Sequence, residues 1–241
     1  MWLLRPRGVY RPQADTWLLA DVLDRTGFAP GADVLEICCG TGALSIVAAR
    51  TRPRSLTAVD CSRRAALATR FNTAVRGIRV RVERGDAFAR TNGRRFDLVI
   101  ANPPYVPGEP ALPARGAARA WDAGVDGRAV LDRLCAAAPA LLAPGGTLLV
   151  VHSALCRVST TLRQLRDGGL TASVVARAEE PFGPVMRARE HLLRERGLIA
   201  EGQRHEELVV VRADRVPARV PRPRVSATTS TEHGRDPVTS E

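Results

Sequence analysis

A chain of 241 residues, 45% of them hydrophobic, can bury a substantial core in one large domain or two small ones, and no apolar run approaches a membrane span or a signal peptide. All of its basic residues are arginine, and the formal net charge of +11 favours an acidic partner such as RNA or a nucleoprotein particle, although the arginines form no dense block. The five cysteines, an odd number without a Cys-x-x-Cys pair, indicate free thiols in a reducing cytoplasm and argue against a disulfide framework or a metal site.

Apolar periodicity predicts that helices and strands alternate along the chain. In order, we expect a helix at 15–26 capped by Asp15 or Thr16, a strand at 34–38, a helix at 43–50, a strand at 55–59, a helix at 62–75, strands at 80–83 and 96–101, a helix at 126–142, a strand at 147–151, a helix at 154–166, and strands at 170–176 and 207–211. This alternation predicts an α/β fold with a parallel sheet covered by helices on both faces.

Two stretches lack this periodicity. Residues 106–125, rich in Pro, Gly, Ala and Arg, predict a long loop of the kind that is usually functional or mobile. The Pro-, Arg-, Ser- and Thr-rich end of the chain predicts a disordered tail. We therefore expect one domain at 1–212, followed by a disordered C-terminal tail at 213–241.

Glycine or polar residues follow four of the predicted strands: Gly40, Asp60, Asp86 and Asn102. In a parallel sheet these positions share the carboxyl edge, where ligands bind. The sequence Gly40-Thr41-Gly42 lets a ligand approach the backbone and the start of the next helix. Asp60, at the end of the following strand, can accept hydrogen bonds from ribose hydroxyls, so we infer a nucleoside-containing cofactor.

Two other nucleotide-binding patterns fit less well. The fingerprint for a nicotinamide dinucleotide is incomplete at Ser45, and Glu36 would lie poorly beside a pyrophosphate. A P-loop is excluded because no Gly-Lys-Ser/Thr sequence occurs. A nucleoside cofactor without phosphates, such as S-adenosylmethionine, fits better.

Asn102-Pro103-Pro104-Tyr105 directly follows an apolar strand and forms a rigid segment, because both prolines fix their own φ angles and Pro103 favours an extended Asn102. An amide oxygen, free backbone carbonyls and an aromatic ring can together grip a flat group that carries an NH2. The alternative is a strand-ending turn with an exposed tyrosine.

Four segments, Glu36-x-x-x-Gly40-Thr41-Gly42, Asp60, Gly85-Asp86-Ala87 and Asn102-Pro103-Pro104-Tyr105, resemble the successive motifs of class I methyltransferases. Residues 9–19 and 120–128 resemble segments of the HemK/PrmC-type glutamine methyltransferases, in the short form that lacks an N-terminal helical domain. The likeness covers roughly residues 9–212. It implies a Rossmann-like sheet of seven strands, mostly parallel, with the last strand at 207–212 antiparallel.

The resemblance also implies the roles of individual residues. Those expected to contact S-adenosyl-L-methionine are Thr16, Glu36, Cys38, Gly40, Gly42, Asp60, Asp86, Ala87 and Asn102. Asp60 would bind the ribose and Asp86 the adenine amino group, whereas Cys38 departs from the glycine usual in the family. Substrate would be held by Asn102, Pro103, Pro104 and Tyr105, with Asn102, Pro103 and Tyr105 taking part in catalysis.

The favoured activity is methylation of the glutamine amide in the Gly-Gly-Gln motif of a peptide-chain release factor, free or ribosome-associated. The alternative is methylation of an exocyclic amine of adenine or guanine in rRNA or DNA, which the positive charge would serve. A lysine target and a non-enzymatic cofactor-binding role are further alternatives. The family also makes a small stabilising partner protein an open question.

Other chemically reactive residues have weaker patterns. His152, His191, His205 and His233 are dispersed, and we expect surface or structural roles for them. We expect Cys38 and Cys39 to be buried thiols of a loop and not a redox-active pair. Trp121 is either a substrate-loop contact or an anchor for that loop.

Overall fold

The computed structural model describes residues 1–28, 30–91, 93–108 and 120–217. Its helices are α1 (Ala14–Thr26), α2 (Ala43–Ala48), α3 (Arg63–Ala74), α4 (Ala87–Arg90), α5 (Ala129–Leu141), α6 (Val158–Asp167), α7 (Pro184–Ala188) and α8 (Glu190–Glu195). Its strands are β1 (Asp33–Ile37), β2 (Ser55–Asp60), β3 (Arg81–Arg84), β4 (Phe96–Ala101), β5 (Leu142–Ser153), β6 (Thr171–Pro181) and β7 (His205–Asp214). Within these ranges, no helix is long and apolar enough to cross a membrane.

The strands form one sheet in the order β3-β2-β1-β4-β5-β7-β6. Strand β7 runs antiparallel to both of its neighbours, and the other adjacent pairs are parallel. The predicted α/β sheet, mostly parallel with an antiparallel last strand, is therefore confirmed. In the central register Ile37 lies beside both Val59 and Ala101. The residues that follow these three positions consequently emerge together at one edge.

The central strands are buried on both faces, as expected for parallel strands. In β4, Leu98 and Ile100 pack into a cluster with α1 and α2, whereas Val99 and Ala101 belong to a second cluster with α5. All four side chains are essentially inaccessible to solvent. This two-sided burial holds the end of β4 in a fixed position.

The prediction that Asp15 or Thr16 caps α1 is wrong. The N-cap position is Gln13, and its side chain makes no capping hydrogen bond. Asp15 and Thr16 lie within the first turn and are buried. Their side chains bond to each other and to residues from elsewhere in the chain, so tertiary contacts replace capping.

The C-terminal half contains more regular structure than predicted. Helices α7 and α8 lie between the predicted strands at 170–176 and 207–211, where no element was predicted, and β5, β6 and β7 are each longer than the predicted strands. The expected boundary at 212 falls short of the end of β7, because Ala213 is fully buried and Asp214 accepts a hydrogen bond from Thr147 at 2.6 Å. Of the predicted tail, 218–241 lies outside the described residues, as does 109–119 of the predicted loop.

Candidate active site

A cavity of about 1400 Å³ opens at the carboxyl edge of β1, β2 and β4. Single small-molecule sites rarely exceed roughly 1,000 Å³, so this cavity has room for a cofactor and part of a second molecule. All the predicted site residues except Gly42 line it: Thr16, Glu36, Cys38, Gly40, Asp60, Asp86, Ala87, Asn102, Pro103, Pro104 and Tyr105.

Gly42 supports the glycine loop from behind. Its φ is +78°, and a Cβ there would lie 2.9 Å from the side chain of Thr69 on α3. Thr69 also donates a hydrogen bond to the Gly40 carbonyl at 3.1 Å. Glycine is therefore required at residue 42 for the close approach of α3, which braces the loop against the cavity.

Asp60 links the glycine loop to the start of α3. Its two carboxylate oxygens accept hydrogen bonds from the backbone N–H of Gly40 at 3.0 Å and of Ser62 at 2.8 Å. Burial raises the pKa of Asp60, and the two N–H donors oppose that rise. Each oxygen keeps a further lone pair, so the carboxylate can still accept from a ribose hydroxyl.

Glu36 lies in β1 at the floor of the cavity and is 1% exposed. Burial raises its pKa to about 8, although hydrogen bonds from Ser45 oppose this shift. The Ser45 hydroxyl on α2 donates to one oxygen of the carboxyl group. Because no cation bonds to it among the described residues, this carboxyl is suited to bind a positively charged group of a ligand.

Cys38 has a φ of +60°, in the left-handed region that favours glycine. Its side chain lines the cavity, and burial raises the pKa of its thiol. The thiol is therefore neutral. The backbone conformation explains why a glycine suits this position and why a cysteine is strained there.

Asp86 already has a cationic partner. Arg133 on α5 donates to one carboxylate oxygen at 2.5 Å, and the backbone N–H of Phe88 donates to the other at 3.0 Å. Arg133 lowers the pKa of Asp86, and its guanidinium lies 4.6 Å from the centre of the Phe88 ring. Sequence reasoning missed Arg133, because its approach to Asp86 depends on how α5 packs against the rim.

Asn102 follows the last residue of β4 and meets the start of α1. Its side-chain N–H donates to the Thr16 hydroxyl oxygen at 3.1 Å. No residue in the described ranges donates to the Asn102 side-chain oxygen or to the Pro103 carbonyl. Two acceptors at the cavity wall are thus available to a bound molecule.

Tyr105 is anchored through its hydroxyl, which donates to Asp15 at 3.0 Å. Tyr10 donates to the same carboxylate oxygen at 2.7 Å. The alternative of an exposed tyrosine on a turn is wrong, because Tyr105 is 8% exposed and lines the cavity. Asp15 and Tyr10 were not singled out as site residues, and the only signal for them lies in the family-like segment 9–19.

The segment 120–128 packs directly against the backbone after Tyr105. Val106 bonds to Trp121 and Ala123 through both of its backbone groups, at 2.8 and 3.1 Å. Trp121 lies in this bridge and also lines the cavity, so it combines the anchor role with access to a ligand. A Cβ at Gly127 would lie 2.3 Å from the Tyr105 carbonyl, and this contact requires glycine there.

The two arginines that flank the short helix α8 hold the next two residues. Arg189 donates to the Pro107 carbonyl and forms an ion pair with Asp122, at 2.7 and 2.8 Å. Arg196 donates to the Gly108 carbonyl at 2.8 Å. These contacts fix the path of the chain beyond Tyr105.

Two glutamates line the side of the cavity formed by β6 and β7. Glu180 and Glu206 are directly opposite each other in the antiparallel register. Burial raises the pKa of Glu206, with Asp15 and Glu180 adding to the rise. The adjacent pair, Glu179 and Glu207, differs because Arg177 forms an ion pair with Glu207 at 2.6 Å.

His152 lies away from the cavity and is fully buried in β5. Its Nδ1 is 2.8 Å from the Ser153 carbonyl, and its Nε2 has no hydrogen-bond partner in the described part of the chain. Burial lowers its pKa to about 4. His152 is therefore a neutral residue of the core.

Comparison with known proteins identifies the family. Residues 8–117 match the methyltransferase small domain. A Methanocaldococcus jannaschii protein assigned as a protein N5-glutamine methyltransferase is 31% identical over 180 residues, which are 74% of this chain and 89% of that protein. A release factor glutamine methyltransferase of Deinococcus radiodurans is 34% identical, over 69% of this chain and 61% of that protein.

Further relatives extend the comparison. A ribosomal protein uL3 glutamine methyltransferase of Bradyrhizobium diazoefficiens is 42% identical over 124 residues, or 48% of this chain and 39% of that protein. The chain thus spans less than two thirds of the length of each of these two bacterial enzymes. Among solved structures, the E. cuniculi Mtq2–Trm112 complex, responsible for methylation of the eRF1 termination factor, has a TM-score of 0.60 at 22% identity, covering 86% of this chain and 99% of that one.

The structural likeness supports the class I methyltransferase fold. The Methanocaldococcus jannaschii relative assigns the chain to a more specific family than the fold does, because the alignment covers 89% of that protein. The chain belongs to the HemK/PrmC-type family of S-adenosyl-L-methionine-dependent glutamine methyltransferases.

Proposed function

We propose that this chain methylates the side-chain amide of glutamine in the Gly-Gly-Gln motif of a peptide-chain release factor. The observation that carries the proposal is a pair of acceptors at the wall of the cavity, the Asn102 side-chain oxygen and the Pro103 carbonyl, to which none of the described residues donates a hydrogen bond. A primary amide presents two N–H groups in one plane, which such a pair can accept. The names of the release factor relatives support the choice of substrate.

The residues on the β1 and β2 side of the cavity fit S-adenosyl-L-methionine. We assign the ribose hydroxyls to Asp60, the adenine amino group to Asp86, and the ammonium of the methionine part to Glu36. The glycine loop at Gly40 leaves room for the ligand, since a Cβ there would have only one neighbour within 4 Å, at that limit. When bound, this cofactor supplies an electrophilic methyl group on a sulfonium.

The residues at the end of β4 orient the target. An amide nitrogen is a poor nucleophile because its lone pair is delocalised into the carbonyl. Asn102 and Pro103 would accept its two N–H bonds, direct the nitrogen towards the methyl group and stabilise the positive charge that develops on nitrogen. Tyr105 would lie against the plane of the amide. The proton can leave after transfer, so no strong base is needed beforehand.

Glu180 and Glu206 favour a protein over a nucleic acid as substrate. They lie on the same cavity as Asn102, and no arginine pairs with either of them among the described residues. A phosphate backbone approaching this side would meet two carboxyl groups, which disfavours its binding. The net charge of +11 supports the alternative, an exocyclic amine of rRNA or DNA, or a release factor bound to the ribosome.

The test is transfer of a labelled methyl group to purified release factor, ribosomal protein uL3, rRNA and DNA in parallel. We expect label on the release factor, lost when its Gly-Gly-Gln glutamine is replaced by alanine. Label on uL3 alone would replace the substrate while keeping the glutamine chemistry. Label on RNA or DNA, with a steep decline in salt, would overturn the proposal in favour of the nucleic-acid alternative.

We also propose that a small partner protein stabilises the chain, by analogy with the Mtq2–Trm112 complex. Purification of the chain alone and from cells that co-express a Trm112-like protein tests this, with light scattering as the readout. A stable, active monomer without any partner would overturn it.

A further inference from the structure

The carboxylate of Asp15 collects four hydrogen bonds in the buried first turn of α1. One oxygen accepts from the hydroxyls of Tyr10 and Tyr105, at 2.7 and 3.0 Å. The other accepts from the backbone N–H and the hydroxyl of Thr16, at 2.5 and 3.1 Å. Asp15 is 2% exposed and borders the cavity. A buried charge with this many donors links three segments of the chain.

These bonds dictate which way the Asn102 amide faces. A hydroxyl has one proton, and the Thr16 proton is directed to Asp15, so the Thr16 oxygen can only accept from Asn102. Asn102 must therefore turn its NH2 towards Thr16 and its oxygen away. The reversed amide would place the Asn102 NH2 in front of an incoming NH2, where two donors would meet.

The same carboxylate fixes the aromatic wall. Burial, followed by the negative charge of Asp15, raises the pKa of both Tyr10 and Tyr105 well above the ordinary value. Both hydroxyls therefore stay protonated and remain donors to Asp15. The Tyr105 ring is held by this bond at one end and by its backbone, packed against Gly127, at the other.

We propose that Asp15 is a positioning residue, which acts through Thr16 to set the orientation of the Asn102 amide for methyl transfer and through Tyr105 to hold the aromatic wall. The inference rests on the proposed function, since it assigns the Asn102 oxygen to the NH2 of the target. Without Asp15, the Thr16 hydroxyl is free to turn and donate to a reversed Asn102. In this role Asp15 acts through its neighbours and does not itself bind the substrate.

The first test does not depend on substrate. In ¹⁵N-labelled protein, the side-chain NH2 resonance of Asn102 is identified by its loss in Asn102→Ala. We expect it to shift in Thr16→Val, which lacks the acceptor, and in Asp15→Ala, although among the described residues Asn102 bonds to Thr16 and not to Asp15. Asp21→Asn, an exposed acid on the same helix, is the control and should leave it in place. An unmoved resonance in Asp15→Ala would overturn the inference.

The second test is a double-mutant cycle in methyl transfer to whichever substrate accepts label. Asp15→Ala should lower kcat by about tenfold to a hundredfold, as expected for a misplaced reacting group, while the cofactor Kd changes little. In an Asn102→Ala background, the same change should cost clearly less, because only its effect through Tyr105 remains. A merely structural role predicts equal losses in both backgrounds and would refute positioning. Absence of label on every substrate would refute the proposed function, and the resonance test would still decide the role of Asp15.

Discussion

Asn102 donates its side-chain N–H to the hydroxyl of Thr16 at 3.1 Å, although the two residues are 86 positions apart in the chain. The bond joins the end of β4 to the first turn of α1 and turns the Asn102 oxygen away from Thr16. Its geometry therefore connects the helix that begins the fold with the group assigned to the target amide.

Replacement of Asn102 by alanine tests that assignment. We expect kcat to fall about 100-fold or more, as when one preorganised acceptor of developing charge is removed, with a smaller change in cofactor affinity. Asn102→Asp should also fail, because its second oxygen would face the Thr16 oxygen, which has no proton left to donate. Single-turnover kinetics and calorimetric cofactor binding measure the two effects. Near-normal turnover in Asn102→Ala would contradict the assignment.

Glu36 should couple cofactor binding to proton release. Its pKa of about 8 means that the free protein holds a proton there at pH 7. An ammonium bound beside the carboxyl lowers that pKa, so binding releases the proton, and affinity should rise with pH towards 8, by up to about tenfold per unit. Calorimetry at pH 7 in two buffers of different ionisation enthalpy measures the number of protons released on binding.

Two controls isolate this effect. Glu36→Gln has no proton to release, so its binding enthalpy should be independent of the buffer. Methylthioadenosine, which lacks the amino acid part of the cofactor, should bind to the unaltered chain without proton release. Equal proton release with both ligands would show that Glu36 does not face the ammonium.

Substitutions at Cys38 test the strain in the glycine loop. Cys38→Gly relieves the strain of a left-handed backbone conformation, which costs about 1 kcal/mol of stability. The greater freedom of glycine in the unfolded chain lowers stability by roughly 0.5–1 kcal/mol and so offsets most of that gain. The free energy of unfolding should therefore change by less than about 1 kcal/mol. Cys38→Val should lose more than about 1 kcal/mol, because β-branched residues are poorly tolerated there. Urea unfolding decides, and a glycine variant as unstable as the valine one would contradict the argument.

The charge of Glu206 should cost stability at high pH. Its folded pKa is raised by burial above the ordinary 4.5, so the native state keeps a proton that the unfolded chain releases, and stability falls as the pH rises above 4.5. Glu206→Gln removes this cost, and its gain in Tm over the unaltered chain should be larger at pH 8 than at pH 4.

Glu207→Gln is the matched control on the neighbouring register pair. Its carboxylate is half-exposed and paired with Arg177, so its removal should leave Tm unchanged or slightly lower at pH 8. A gain from Glu206→Gln that is the same at pH 4 and pH 8, or an equal gain from Glu207→Gln, would refute the burial argument.

Features that depend on local pattern could be predicted from the sequence. The bounds of β4, Phe96–Ala101, agree with the prediction because the apolar run 98–101 ends at Asn102-Pro103. The gathering of Gly40, Asp60 and Asn102 at one rim also follows from the pattern, since parallel strands share a carboxyl edge.

Features that depend on tertiary contact could not be predicted. Asp15 was expected to cap a helix, because nothing near it in sequence reveals that Tyr105, 90 positions away, donates to it. Helices α7 and α8 have five and six residues, too few for a helical period to be recognised. The pairing of Glu180 with Glu206 could not be predicted either, because it depends on the register of β6 and β7. Both glutamates lie outside the predicted bounds of these strands.

The contacts made by Gly127, Arg189 and Arg196 bear on how this enzyme could evolve or be divided. Every recognisable methyltransferase motif ends by Tyr105, within the matched domain at 8–117, yet the backbone that follows is held by residues beyond 120. A fragment that ends after the motifs would keep the side chains of the site but lose the contacts that hold the backbone after Tyr105 in position. The indivisible unit of this enzyme therefore extends at least to α8, and grafting the motifs onto another sheet would require α7 and α8 as well.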